Sequence, residues 1–193
     1  MLPADVEIAP IEALGPDTDW SAALSGTDAV VHLAGRAHVL GDTGAGEAMK
    51  VHAVNVEGTV HLARTAIHAG VRRFVFVSTA KVHGERNDGR PWTEQDPPAP
   101  RDLYARSKWE AERALAELAR TSQIEVVTLR PPLVYGPGVK ANFLRLLHTV
   151  QRGLPVPLGA IDNRRSLLYA GNLADAIATC IGPPAAANRT FLV

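Results

Sequence analysis

The chain has 193 residues, 46% of them hydrophobic and 21% charged, with twenty basic residues balanced by twenty acidic ones. That length is enough for one domain with a sizeable core, and the zero net charge leaves no electrostatic footprint for nucleic acid or an anionic membrane. No apolar run approaches transmembrane length and the start, Met1 to Glu7, lacks the pattern of a signal peptide, so the cytoplasm is the expected compartment.

In chain order, the first apolar, β-branched run is Ala29-Val-Val-His-Leu-Ala34, a predicted strand. Gly41-Asp-Thr-Gly-Ala-Gly46 follows. Its spacing is G-x-x-G-x-G and it does not join a strand directly to a helix, so it reads as a flexible loop rather than a phosphate cradle. A helical pattern runs from Glu47 to Ala69 and stops at Gly70 in the position after the C-cap. Asn55 and Gly58 interrupt it, and both a close packing contact and a functional role are open for Gly58.

The second strand, Phe74 to Val77, ends in the hydroxyl pair Ser78-Thr79. The second helix, Leu103 to Arg120, is opened by Asp102 and carries Leu103, Leu115 and Leu118; Arg113 and Glu117 can pair on it at i, i+4. Tyr104 and Lys108 lie four apart and share a face of this helix. A neighbouring ammonium favours a phenolate, which would lower the tyrosine pKa toward the range of a general acid/base, while a hydroxyl at a strand end holds a substrate oxygen. The third strand is Glu125 to Leu129. Strands alternating with helices predict parallel, right-handed βαβ units covered on both faces.

After Arg130 the character changes. Pro131 to Gly138 reads as a rigid loop, Asn142 to Gln151 as a helix, and Gly153 to Gly159 as an extended segment. Asn172 is expected to cap a final helix beginning near Leu173, with Cys180 as a packed core thiol, and Thr190 to Val193 begins another strand. Residues 1–130 are thus expected to form an incomplete dinucleotide-binding domain of α/β, doubly wound, Rossmann-like type, and 131–193 part of a smaller lobe over the C-terminal edge of the sheet.

Taken together, the strand ending in Ser78-Thr79, Val82-His-Gly84, Tyr104-x-x-x-Lys108 and Arg130-Pro-Pro-Leu-Val-Tyr-Gly-Pro137 resemble the extended short-chain dehydrogenase/reductases. The nearest group is the NAD-dependent nucleotide-sugar epimerases and dehydratases, such as the UDP-glucose 4-epimerases. The resemblance runs from about Val6 to Val193 in the family's motif order. It implies that Tyr104 is the acid/base, that Lys108 binds the cofactor ribose and lowers the tyrosine pKa, and that Thr79 holds the reacting sugar oxygen. It further implies cofactor contacts from Leu33, Ala34 and Gly35 at the end of the first strand, from Asn55 in the central helix, and from Pro132. Asn142 and Arg165 match positions that contact a nucleotide diphosphate, where an arginine's planar fork suits phosphate oxygens. The implied cofactor is NAD or NADP, the substrate a UDP-sugar or related nucleotide-sugar, and the assembly a homodimer through the two long helices.

Two departures from the family pattern matter. The dehydratases of the group carry an Asp-Glu pair directly after the threonine, where this chain has Ala80 and Lys81, so the resemblance favours 4-epimerisation or 4-keto reduction over water elimination. In addition, no glycine-rich pyrophosphate loop precedes Ala29, so the first βαβ unit is expected to be missing and dinucleotide binding by this chain to be weak. A noncatalytic remnant that keeps the fold is the competing expectation. Zinc is not expected, because His61 and His68 lack a third ligand nearby. Ser78 lacks a G-x-S-x-G elbow, which disfavours a serine hydrolase.

Overall fold

The computed structural model describes residues 6–11, 13–37, 44–87, 89–139, 141–155 and 164–193, leaving aside the side chains of 141 and 142. Six short strands and six helices succeed one another among these residues. A single turn α1, Ser21–Leu24, leads into β1, Ala29–His32. A long helical column follows: α2, Ala45–His52, a π-helical turn over Ala53–Glu57, and α3, Gly58–His68. It ends as the sequence predicts. Gly70 takes a φ of 80° and donates to the Ile67 carbonyl at 3.1 Å, while Val71 donates to Ala66 at 2.9 Å, the paired bonds of a Schellman motif.

β2, Arg73–Val77, is followed by a 3₁₀ turn over Ala80–His83 and then by α4, Leu103–Thr121. β3 is Glu125–Arg130 and β4 Leu133–Tyr135. α5 spans Ala141–Gln151, β5 Leu167–Tyr169, α6 Ala170–Ile181, and β6 Thr190–Leu192.

The main sheet has the order β1-β2-β3-β6 and all its pairings are parallel, with Val30 opposite Phe74, Phe74 opposite Val126, and Leu129 opposite Phe191. Side-chain alternation then divides the core in two. Phe74, Phe76 and Val126 face α3 and α4, meeting Leu62, Ala63, Ala66, Ala111 and Leu115. Val75, Val127 and Leu129 face the other way, onto Ile177 and Cys180 of α6. Helices on both faces are what near-continuous apolar strands demand, and the doubly wound expectation holds. Cys180 is a core thiol, its pKa pushed up by burial.

The second half differs from expectation in three places. Leu133–Tyr135, expected within a rigid loop, pairs in parallel with Leu167–Tyr169 as a separate two-stranded sheet. α6 begins at Ala170 with Tyr169 at its N-cap, so Asn172 lies inside the first turn and caps nothing, because β5 ends directly against the helix. Residues 170–193, expected in the smaller lobe, contribute α6 and β6 to the main sheet layer. Residues 156–159 of the expected extended segment and 41–43 of the glycine-rich stretch lie outside the described residues; Gly44 is the N-cap of α2.

At the outer edge, Thr128 donates to the Arg189 carbonyl and Val193 to that of Arg130, so the alternate amide of Leu192 points away from β3. Glu94 meets it, with Oε1 accepting from Leu192 N–H at 2.9 Å.

Candidate active site

β2 delivers Ser78 and Thr79 at its C-terminal end. Ser78 N–H donates to the Leu129 carbonyl at 2.7 Å and Ala80 N–H to that of Pro131 at 2.8 Å, so the turn stays laced to the chain leaving β3. Thr79 opens the 3₁₀ turn, its Oγ1 accepting from Lys81 N–H at 3.2 Å, and is 8% exposed. Its own hydroxyl proton remains available to a substrate oxygen.

α4 brings the tyrosine and lysine to this strand end. Asp102 caps it, accepting from Ala105 N–H at 2.6 Å, and its other oxygen is ion-paired with Lys81. Burial pushes the Asp102 carboxyl up, yet the hydrogen bonds from Lys81 and Ala105 and the charges of Lys81 and Arg106 outweigh it and leave the pKa lowered. That pair pins the turn after Thr79 to the start of the helix that carries Tyr104.

Lys108 is almost fully buried, 2% exposed, with Nζ 4.0 Å from the centre of the Phe76 ring. Burial holds its pKa down to about 8, with the Glu112 charge acting in the opposite direction. The expectation that Lys108 lowers the tyrosine pKa is not what this arrangement gives. Burial pushes the Tyr104 phenol up and the neighbouring Asp102 charge adds to the rise. Desolvation of both groups is the physical reason, since it disfavours the phenolate and the ammonium alike.

Asn55, fully buried in the π-helical turn, clamps the strand-end loop. Its Oδ1 accepts from Arg36 N–H at 2.7 Å, and its Nδ2 donates to the Arg36 carbonyl at 3.1 Å and to Ser107 Oγ at 2.9 Å. Ser107 in turn donates to the Tyr104 carbonyl at 2.8 Å. One amide thus joins the segment after β1 to the Tyr104–Lys108 turn. Gly58, three residues on, packs tightly: a Cβ there would lie 3.2 Å from Gly15 Cα, so any larger residue asks the Gly15 backbone to give by a few tenths of an ångström.

Leu33, Ala34 and Gly35 form an open lip beside this clamp, with Leu33 62% exposed. Pro132 is half-buried next to exposed Leu133, and Arg165 is exposed just before β5. The side chain of Asn142 lies outside what is described. His61 and His68, weighed above as metal ligands, are bonded to the backbone carbonyls of Thr18 and Arg64.

A family model described as the NAD dependent epimerase/dehydratase family matches residues 12–193. The chain belongs to that family. A protein described as UDP-glucose 4-epimerase from Vibrio cholerae is 49% identical over 182 residues, covering 93% of this chain and 56% of the relative. The solved structure of DesIV, a dTDP-glucose 4,6-dehydratase from Streptomyces venezuelae with NAD and TYD bound, aligns with a TM-score of 0.74 at 30% identity, over 89% of this chain and 53% of that one. RMD from Pseudomonas aeruginosa, complexed with NADPH, aligns with a TM-score of 0.74 at 27% identity, over 100% and 67%. The chain spans about half the length of the first two.

Two features of the epimerase/dehydratase-family chain suit a nicotinamide dinucleotide. A Cβ on Gly35 would sit 3.3 Å from Asn55 Oδ1 and 3.8 Å from Lys108 Nζ, so the glycine keeps this corner open. Lys108 is 2% exposed and makes no hydrogen bond among the described residues, yet its Nζ is not sealed from solvent, so its protons are open to ribose hydroxyls.

Sequence reasoning missed a polar cluster directly beneath this site. Glu112 accepts from Ser78 Oγ and from Arg130, whose Nη2 lies 2.6 Å from Oε2. Arg130 Nη1 also lies 3.0 Å from His83 Nε2, and the His83 ring stacks on Trp92 with centroids 5.6 Å apart. One signal was present: Glu112 extends the Tyr104–Lys108 spacing by a further four residues along the same face.

Proposed function

We propose that this chain carries the acid/base half of a nucleotide-sugar enzyme working with NAD or NADP, acting as a 4-epimerase or a 4-keto-sugar reductase. The observation that supports it is the strand end bearing Thr79 held against the helix bearing Tyr104 and buried Lys108, through Ser78 to Glu112 and Lys81 to Asp102. A bound nicotinamide would supply the hydride acceptor and donor for C4 of the sugar. Thr79 donates its hydroxyl proton to the oxygen on C4 and holds it in place. Tyr104, a neutral phenol in the chain by itself, gives its proton to a 4-keto oxygen in the reductive direction, and the phenolate so formed takes the proton of a 4-hydroxyl in the oxidative one. Lys108 holds ribose hydroxyls and places positive charge near the site.

Elimination of water is disfavoured. Ala80 has no proton to move, and Lys81 is engaged with Asp102 rather than facing a sugar as an acid or base. Arg165, with Asn142, is assigned to the nucleotide diphosphate by resemblance to the family. The 49% identity to a protein described as UDP-glucose 4-epimerase favours a UDP-sugar and the epimerase direction.

The test is UDP-sugar conversion by a longer protein containing this segment. Tyr104→Phe is expected to lower kcat on the order of 10²–10⁴-fold, the contribution of a positioned acid/base group, with little change in folding. Near-normal turnover would remove Tyr104 from the mechanism.

A further inference from the structure

We propose that Glu112 is a positioning residue for the Tyr104–Lys108 pair: one turn further along α4 it anchors the end of β2 through Ser78, is held in place by Arg130 of β3, and serves Lys108 as its counter-charge.

The geometry places one buried carboxylate at the junction of three elements. Ser78 Oγ donates to Oε1, and Ser78 immediately precedes Thr79. Arg130 Nε lies 3.2 Å from both oxygens and Nη2 2.6 Å from Oε2. Glu112 and Arg130 are 5% and 4% exposed, so neither charge is screened by bulk water. A carboxylate needed only to neutralise Arg130 has no reason to stand at i+4 from Lys108 with one oxygen holding the residue before Thr79.

The groups around Lys108 leave Glu112 as its acidic partner. Phe76 of β2 offers a ring face, and Asn55 and Gly35 a neutral corner. His32 of β1 is held down to about 4 by burial and by the Lys108 charge, so it adds no cation at neutral pH. Tyr104, at i−4, stays a neutral phenol because its pKa is raised. Arg130 stands beyond Glu112 as a cation that divides its field. Lys108 sits with its pKa at about 8, so a modest loss of counter-charge turns it into a neutral amine near pH 7. The reading of Lys108 as part of the catalytic pair underlies this inference.

The chain contains four lysines, Lys50, Lys81, Lys108 and Lys140, which makes lysine-selective labelling direct. In the 193-residue chain labelled at lysine Cε and Nζ, the signal lost in Lys108→Met identifies Lys108, and its titration midpoint is expected near 8. Glu112→Gln should move that midpoint down by about one pH unit or more, the effect of removing a close opposite charge. Glu112→Asp, which keeps the charge at shorter reach, should hold it nearer the parent value. An unchanged midpoint in Glu112→Gln, or an equal fall in Glu112→Asp, would reduce Glu112 to a structural partner of Arg130 and overturn the inference. Should Glu112→Gln fail to fold, the Glu112 Cδ resonance of the unsubstituted chain decides instead. It should bend at the Lys108 midpoint, and a flat trace between about pH 7 and 9 counts against the coupling. No step of this titration needs turnover, so a failed coupling is told apart from a failed catalytic assignment, which Tyr104→Phe tests.

Discussion

At the scale of single residues, His32 shows how the site sets charge from within the core. Its Nε2 lies 2.9 Å from Thr59 Oγ1, and that hydroxyl donates its own proton to the Asn55 carbonyl at 2.8 Å. Thr59 can therefore only accept from the ring, which puts the imidazole proton on Nε2. The ring stacks on Phe76 with centroids 5.9 Å apart, so Phe76 carries a neutral imidazole as one neighbour and the Lys108 ammonium as another. The folded pKa of about 4 lies below the usual 6.5, so between those values the unfolded chain binds a proton that the folded chain refuses. Stability contributed by the neutral ring is complete above pH 6.5 and lost as pH falls toward 4, in all about 3 kcal/mol. Lys108 acts in a separate window: its burial penalty is relieved as pH rises from about 8 toward 10.5, where stability should increase. Urea unfolding of the chain between pH 4 and 7 should show the first slope, and His32→Gln should flatten it. An equally steep slope in that variant would place the acid sensitivity elsewhere.

At the scale of elements, the helical column from Ala45 to His68 does two jobs through its π-helical turn. The extra residue in the turn aims Asn55 at the Arg36 peptide, and α3 restarts at Gly58 against the backbone of Gly15. Gly58→Ala should cost roughly 1–3 kcal/mol, because the new methyl meets Gly15 backbone atoms at 3.2 and 3.3 Å and neither can rotate away. Thermal unfolding measures it, and a neutral substitution would mean that the segment around Gly15 yields. The three strands and two long helices were legible in the sequence, because apolar runs, Asp102 at an N-cap and Gly70 past a C-cap are local signals. The π-helical turn was not, since it depends on what Asn55 reaches across space rather than on its neighbours in the chain. β4 and β5 escaped for a similar reason: each has three residues, Pro131 and Pro132 precede the first, and their pairing joins Leu133 to Leu167 across a long separation. Glu117 also settles differently from its expected partner, accepting from Arg120 at 2.5 Å one turn toward the C-terminus, with the acid first as the helix dipole prefers. Of the site, Thr79, Tyr104 and Lys108 were legible as a set. The raised phenol pKa was not, because burial is a property of the packed α4 and not of a four-residue spacing.

At the scale of the whole molecule, the described residues form a parallel sheet flanked by helices, with the candidate catalytic side chains gathered at the C-terminal ends of its strands. No helix among them is long and apolar enough to cross a membrane. The outer strand β6 lends the sheet a further property through Glu94. An edge strand with bare amides is a template on which another extended chain can add, and such addition is a usual first step toward aggregates. Here the outward Leu192 amide is already taken by a carboxylate, and any incoming strand must displace a charged group before it can pair. The same amide hydrogen bond is the main reason the Glu94 carboxyl is held below the usual carboxylate range, so the guard stays charged even in mildly acidic solution. Glu94→Ala should therefore leave the fold nearly as stable while shortening the lag before light scattering rises in concentrated, warmed samples. Equal lag times would show that β6 is protected by its shortness alone. What looks like a stray contact between a loop and the last strand is, on this account, a device for colloidal stability.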